Sequence, residues 1–113
     1  MAAQGRWPEA IPHYERALQL KPKDAAAHND LGLALAAQGK GKEAIPHFER
    51  ALRLNPEDAN AHNNLGLALT AQGRLTEAIA HFERALQLKP ETANADLNLG
   101  KTLAQQGQWP AAI

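Results

Sequence analysis

Five histidines are the residues whose chemistry is most obvious in this 113-residue chain. An imidazole can act as a general base or ligate a metal ion, so their spacing matters first. His13, His47 and His81 recur every 34 residues, and His28 and His62 do likewise. No two are separated by three or four residues, the spacing that places two ligands on one helical face. The spacing gives no metal site, and histidines at helix contacts are the simpler reading. Other reactive types are missing. The chain has no Cys and no Ser, which removes thiolate zinc sites, disulfides, cysteine nucleophiles and serine hydrolase chemistry. No nucleophile, base and oxyanion set can be assembled, so an enzyme is not expected, and no cofactor is implied. The adjacent pairs Glu15-Arg16, Glu49-Arg50 and Glu83-Arg84 read as a solvated face, because neighbours in a helix do not face each other.

Composition narrows the scaffold. Ala (24) and Leu (16) make up about a third of the chain, while Val is absent and only four Ile and four Thr supply β-branched residues. A strand-rich fold is excluded. Lys plus Arg equals Asp plus Glu at 12 each, so no overall field draws the chain to nucleic acid or to an anionic membrane, and neither is an expected partner. No run is long or apolar enough to span a bilayer. Met1 to Pro12 is broken by Gly and Pro and lacks a secretory signal, which makes the cytoplasm the default location.

A period of 34 organises everything else. Ala25–Asp58 and Ala59–Thr92 match at 24 of 34 positions. Gly5, Gly39, Gly73 and Gly107 mark the period, as do Gly32, Gly66 and Gly100, and Pro22, Pro56 and Pro90. Within each period Leu31, Ala34 and Leu35, then Ala44, Ile45, Phe48, Ala51 and Leu52, carry helical spacing on either side of a break. Each unit is therefore two helices. First helices are predicted over 25–38, 59–72 and 93–106, capped by Asp24, Asp58 and Thr92 and stopped by the following Gly. Second helices are predicted over 8–20, 42–54 and 76–88, each followed by a Pro, with Lys21 and Lys89 near two of their negative ends. Trp7-Pro8 and Trp109-Pro110 place a Pro at the expected first helical position. Pro12 and Pro46 fall about one turn inside second helices, where amides lacking an intrahelical acceptor would tolerate them. The chain divides into a partial repeat over 1–24, full repeats over 25–58 and 59–92, and a partial repeat over 93–113.

The pattern Leu31-Gly32, Leu35, Ala44, Phe48, Ala51 and Pro56, repeated as Leu65-Gly66, Leu69, Ala78, Phe82, Ala85 and Pro90, resembles the tetratricopeptide repeat across the whole chain. The resemblance implies an all-α fold, an α-solenoid of stacked antiparallel helix pairs in a right-handed superhelix. It also implies a packing role for the small residues: Gly32 and Gly66 facing Ala44 and Ala78, with Phe48 and Phe82 reaching toward the next unit. His28, His62 and Asp96 stand where the family often has an aromatic, which makes that helix contact more polar.

In this family the first helices line a concave face that binds extended peptides. The resemblance places Asn29, Asp30 and Leu33, then Asn60, Asn63, Asn64, Leu67 and Thr70, then Asn94, Leu97, Asn98, Lys101 and Gln105, on that face. An Asn amide offers an acceptor and two donors and can hold a peptide backbone without reading its side chains. Asn64 and Asn98, with Asp30 at the equivalent place, form a ladder similar to that in the repeat superhelix of O-linked N-acetylglucosamine transferases. Asp30 breaks it, since a carboxylate only accepts. The alternative is that these Asn are solvated positions of a near-consensus repeat. Co-chaperone repeats clamp a C-terminal carboxylate with Lys, Arg and Asn; here Leu33 and Leu67 occupy inner sites where a polar group would serve, and Lys101 is the only cation. The expected function is a non-catalytic scaffold for a protein or peptide partner. A second expectation comes from the ends. Residues 2–11 and 104–113 occupy equivalent places three periods apart, so copies could stack head to tail through an open contact.

Overall fold

The computed structural model describes residues 7–108, all six elements of which are α-helices: α1 (Trp7–Leu20), α2 (Ala25–Ala37), α3 (Gly41–Leu54), α4 (Ala59–Ala71), α5 (Leu75–Leu88) and α6 (Ala93–Gln108). The all-α helix-pair architecture expected from the 34-residue period is the one observed. Boundaries agree within a residue except at α6, which runs through Gly107 to Gln108. The Trp109-Pro110 start and the residues expected to meet in a head-to-tail contact lie wholly or partly outside the described residues, which exclude 1–6 and 109–113.

Two compact units divide at Pro56 and Glu57. In the first, α2 packs against both α1 and α3. Its core joins Ala27, Leu31, Ala34 and Leu35 of α2 to Ala44, Ile45, Phe48, Ala51 and Leu52 of α3. In the second, α4 pairs with α5, α5 with α6, and α4 also touches α6. Leu65, Ala68 and Leu69 of α4 are buried, with Ala78, Phe82 and Ala85 of α5 and Ala95 of α6.

The helix ends follow from single residues. Asp24 Oδ1 accepts from the Ala27 amide, and Asp58 Oδ1 from the Ala61 amide, each at 3.2 Å. These bonds satisfy amides that have no intrahelical partner. Thr92 holds the same place before α6, but its buried Oγ1 has no hydrogen-bond partner. Gly39 and Gly73 adopt φ of +78°, a conformation costly for any side chain. There the Lys40 amide reaches back to the Leu35 carbonyl at 2.9 Å and the Gly39 amide to Ala36 at 3.0 Å, with Arg74 and Gly73 doing the same to Leu69 and Thr70. This paired closure reverses the chain in a tight turn.

Two sequence expectations need correction. Gly32 and Gly66 make room for the aromatic ring of their own repeat: a Cβ on Gly32 would lie 2.6 Å from Phe48 Cε1, and on Gly66 2.5 Å from Phe82 Cε1. The glycines thus let the rings of Phe48 and Phe82, 1% and 0% exposed, pack closely against the first helix of the same hairpin. Pro46 is not at an acceptor-free position. The Ala44 amide already bonds to the Lys40 carbonyl, so the ladder has begun two residues earlier, and Pro46 leaves the Lys42 carbonyl without its helical donor. The helix continues because Ile45 and Phe48 on either side are buried.

Candidate functional site

α4 and α6 touch each other and carry most of the predicted site residues. Asn60 and Asn94 are exposed, Asn64 and Asn98 are half-buried, and Lys101 is exposed. Leu67 shows 45% of its surface although Leu65 and Leu69 beside it in α4 are buried, and in α6 Leu97 and Leu103 show 58% and 47%. Asn63 is placed differently from its expected role. It is buried, and its Oδ1 accepts from Asn98 Nδ2 at 3.2 Å, so it ties the two helices together and orients the Asn98 amide.

A second polar tie lies on the same pair of helices. Thr70 Oγ1 donates to the Gly66 carbonyl at 2.9 Å, which commits its only proton. The buried Thr102 hydroxyl, 3.2 Å away, is therefore the donor to Thr70 Oγ1. Gln106 Nε2 donates to Thr76 Oγ1 at 3.1 Å and fastens α6 to α5. These bonds tie α6 to α4 and α5.

In the other unit, α2 carries Asn29, half-buried, with Asp30 and Leu33 exposed. Partial burial and the nearby Asp24 charge raise the Asp30 carboxyl above its ordinary value. In its ionised form Asp30 accepts hydrogen bonds only, as its type implies.

The structure also brings together residues that spacing along one helix did not. His28 Nδ1 lies 3.3 Å from His47 Nδ1, and His62 Nδ1 lies 3.0 Å from His81 Nδ1. The ring planes are inclined by 29° and 28°, and the centroids are 5.6 and 5.3 Å apart. In both pairs the centroid separation exceeds the N···N distance by about one ring width, so the rings meet end-on through Nδ1 instead of face to face. His28 Nε2 is 3.0 Å from the Pro22 carbonyl, which can only accept. Neutral His28 thus carries its proton on Nε2 and offers the Nδ1 lone pair to the N–H of His47. Burial lowers the affinity of His47 and His81 for protons, the facing histidine adds to this, and Glu15 and Glu77 respectively oppose it. Among the described residues no group of three or more His, Asp or Glu is placed to hold a metal ion.

On sequence, a tetratricopeptide repeat model matches residues 37–91 and 78–113, and a second TPR repeat model matches residues 2–39. The chain belongs to the tetratricopeptide repeat family. No curated protein sequence matches it. Among solved structures, this TPR chain is similar to the first TPR of Spaghetti (RPAP3) bound to the HSP90 peptide SRMEEVD, at 26% identity and a TM-score of 0.91, covering 94% of this chain and 84% of that one. It is also similar to the second TPR domain of human RPAP3 in complex with the HSP70 peptide SGPTIEEVD, at 28% identity and a TM-score of 0.84, covering 88% and 83%. MamA matches at 25% identity and a TM-score of 0.88, with 95% of this chain spanning 63% of that one. No helix among the described residues is long and apolar enough to cross a membrane.

Proposed function

We infer that this TPR chain is a non-catalytic protein-interaction scaffold whose first helices hold an extended peptide. The reading is supported by α4 and α6, which touch each other and carry Asn60, Asn64, Asn94 and Asn98, the exposed Leu67 and Leu97, and the cation of Lys101. Amides suit a peptide backbone, the two leucines suit apolar side chains of the partner, and Lys101 suits one carboxylate. In the other unit, Asn29 on α2 offers an amide and Asp30 an acceptor only. The two RPAP3 domains, both in complex with peptides, support the reading. Their peptides are acidic, whereas this face has a single cation, so apolar and backbone contacts supply more of the affinity here than charge does.

Each neutral hydrogen bond contributes about 0.5–1.5 kcal/mol net, against an association cost of several kcal/mol. Weak, micromolar or weaker binding is the expectation for a few Asn contacts. The test is a peptide array probed with the full chain and with the Asn64→Ala, Asn98→Ala double variant. Loss of the spots bound by the parent chain supports the reading; unchanged binding by a folded double variant overturns it.

A further inference from the structure

The end-on histidine pairs play no part in the peptide-binding face, yet they occur at the same place in two repeats, each linking the first helix of a hairpin to the second. One proton serves each N···N contact. When the pair takes up an additional proton, it can go to a nitrogen outside the contact, such as His47 Nε2, and the N–H···N bond survives. Another must occupy the accepting Nδ1 lone pair. Two N–H groups would then point at each other, with two positive charges about one hydrogen-bond length apart. The folded hairpin therefore admits one extra proton and resists the next, whereas the unfolded chain takes two.

We propose that each repeat hairpin is clasped by a proton held between its two histidines, and that mild acid opens the clasp and loosens the first helix from the second. The surrounding charges do not undo this. From α1, Glu15 faces His47, and from α2 His28 does; the other acids of α2 and its N-cap, Asp30 and Asp24, interact with each other. On His81 act His62 from α4 and Glu77 from α5 itself, while α6 brings Asp96 and Lys101, both exposed. Glu15 and Glu77 favour the first added proton, but they supply no lone pair to the contact.

The direction follows from proton counting. Each folded pair binds one proton fewer than the same two imidazoles in the unfolded chain, so stability is complete above the ordinary imidazole value of about 6.5 and is lost as pH falls below it; the burial of His47 and His81 acts in the same direction. One proton excluded per pair raises the unfolding constant by up to about tenfold per pH unit, or about a hundredfold for both pairs.

The experiment is urea denaturation of the full chain from pH 7.5 to 5, compared with the double variant His47→Asn, His81→Asn. Asn places a non-titrating amide near the position of Nδ1. The parent chain is expected to lose stability with acid far more steeply than the variant. Parallel profiles overturn the proposal. Nitrogen NMR of the imidazoles in the parent chain gives an independent reading: the second proton of each pair is expected at least about one pH unit below the first. Uncoupled titration of both rings at the ordinary value overturns it equally.

Discussion

The same substitution at one register position of two repeats should have opposite signs. Gly66→Ala puts a methyl group 2.5 Å from Phe82 Cε1 and 2.8 Å from two further ring atoms. Ordinary carbon contacts are about 3.5–4.0 Å, so the ring or the helix must shift by about 1 Å. Phe82 is fully buried and cannot swing away into solvent. Overpacking of this kind costs about 1–3 kcal/mol, and replacing a helical Gly with Ala returns about 1 kcal/mol. The net expectation is destabilisation by up to about 2 kcal/mol. Gly100 holds the equivalent place in α6, where a Cβ would meet no heavy atom within 4 Å. Gly100→Ala should therefore keep only the propensity gain and stabilise by about 0.5–1 kcal/mol. Urea denaturation followed by helical circular dichroism measures both. If the two changes shift the midpoint in the same direction, the packing of Phe82 on Gly66 is not what requires glycine there.

Pro46→Ala should stabilise by about 1–3 kcal/mol, because it restores a donor to the Lys42 carbonyl; Ala80 at the equivalent place in α5 shows that the position accepts Ala, and thermal denaturation reads the gain. Thr92→Asp should add about 1 kcal/mol by giving α6 the cap that Asp24 and Asp58 provide, seen as slower amide exchange in the first turn of α6. Asp30→Asn should raise stability at neutral pH, since a carboxyl whose folded value is raised loses stability as pH climbs through that value; the difference from the parent chain should vanish below about pH 3. Asn63→Leu should weaken any peptide bound at Asn98 while leaving the fold intact, because it removes the acceptor that orients the Asn98 amide; calorimetry with an array-selected peptide separates the two effects.

How much of this was legible in the sequence depends on whether a contact lies along one helix or between two. The 34-residue period, the capping Asp residues and the terminal glycines act locally, so composition and spacing reveal them, and the helix limits agree within a residue wherever the Gly turn forms. At Gly107 the signal is the same but α6 continues, since glycine permits the reversal without compelling it. The His28–His47 and His62–His81 pairs are 19 residues apart, a separation that a search along a single helical face never samples. A signal was present nonetheless: both members recur with the 34-residue period, so their offset is constant from one repeat to the next. The contact of Gly32 with Phe48 was hidden in the same way. For the candidate site, residue types on the first helices were readable, and the exposed Asn60, Asn94, Leu67 and Lys101 lie on helix faces open to a partner. The burial of Asn63 was not readable, because the period gives each Asn the same standing and only the packing of α4 on α6 separates them.

The central claim is that the α4 and α6 face takes an extended peptide, and NMR titration of the isotopically labelled full chain with an array-selected peptide tests it most directly. Shifts concentrated in the side-chain amides of Asn64, Asn94 and Asn98 and the methyl groups of Leu67 and Leu97 are predicted. Shifts confined to the outer surface of α5, around Glu83 and Arg84, would contradict it.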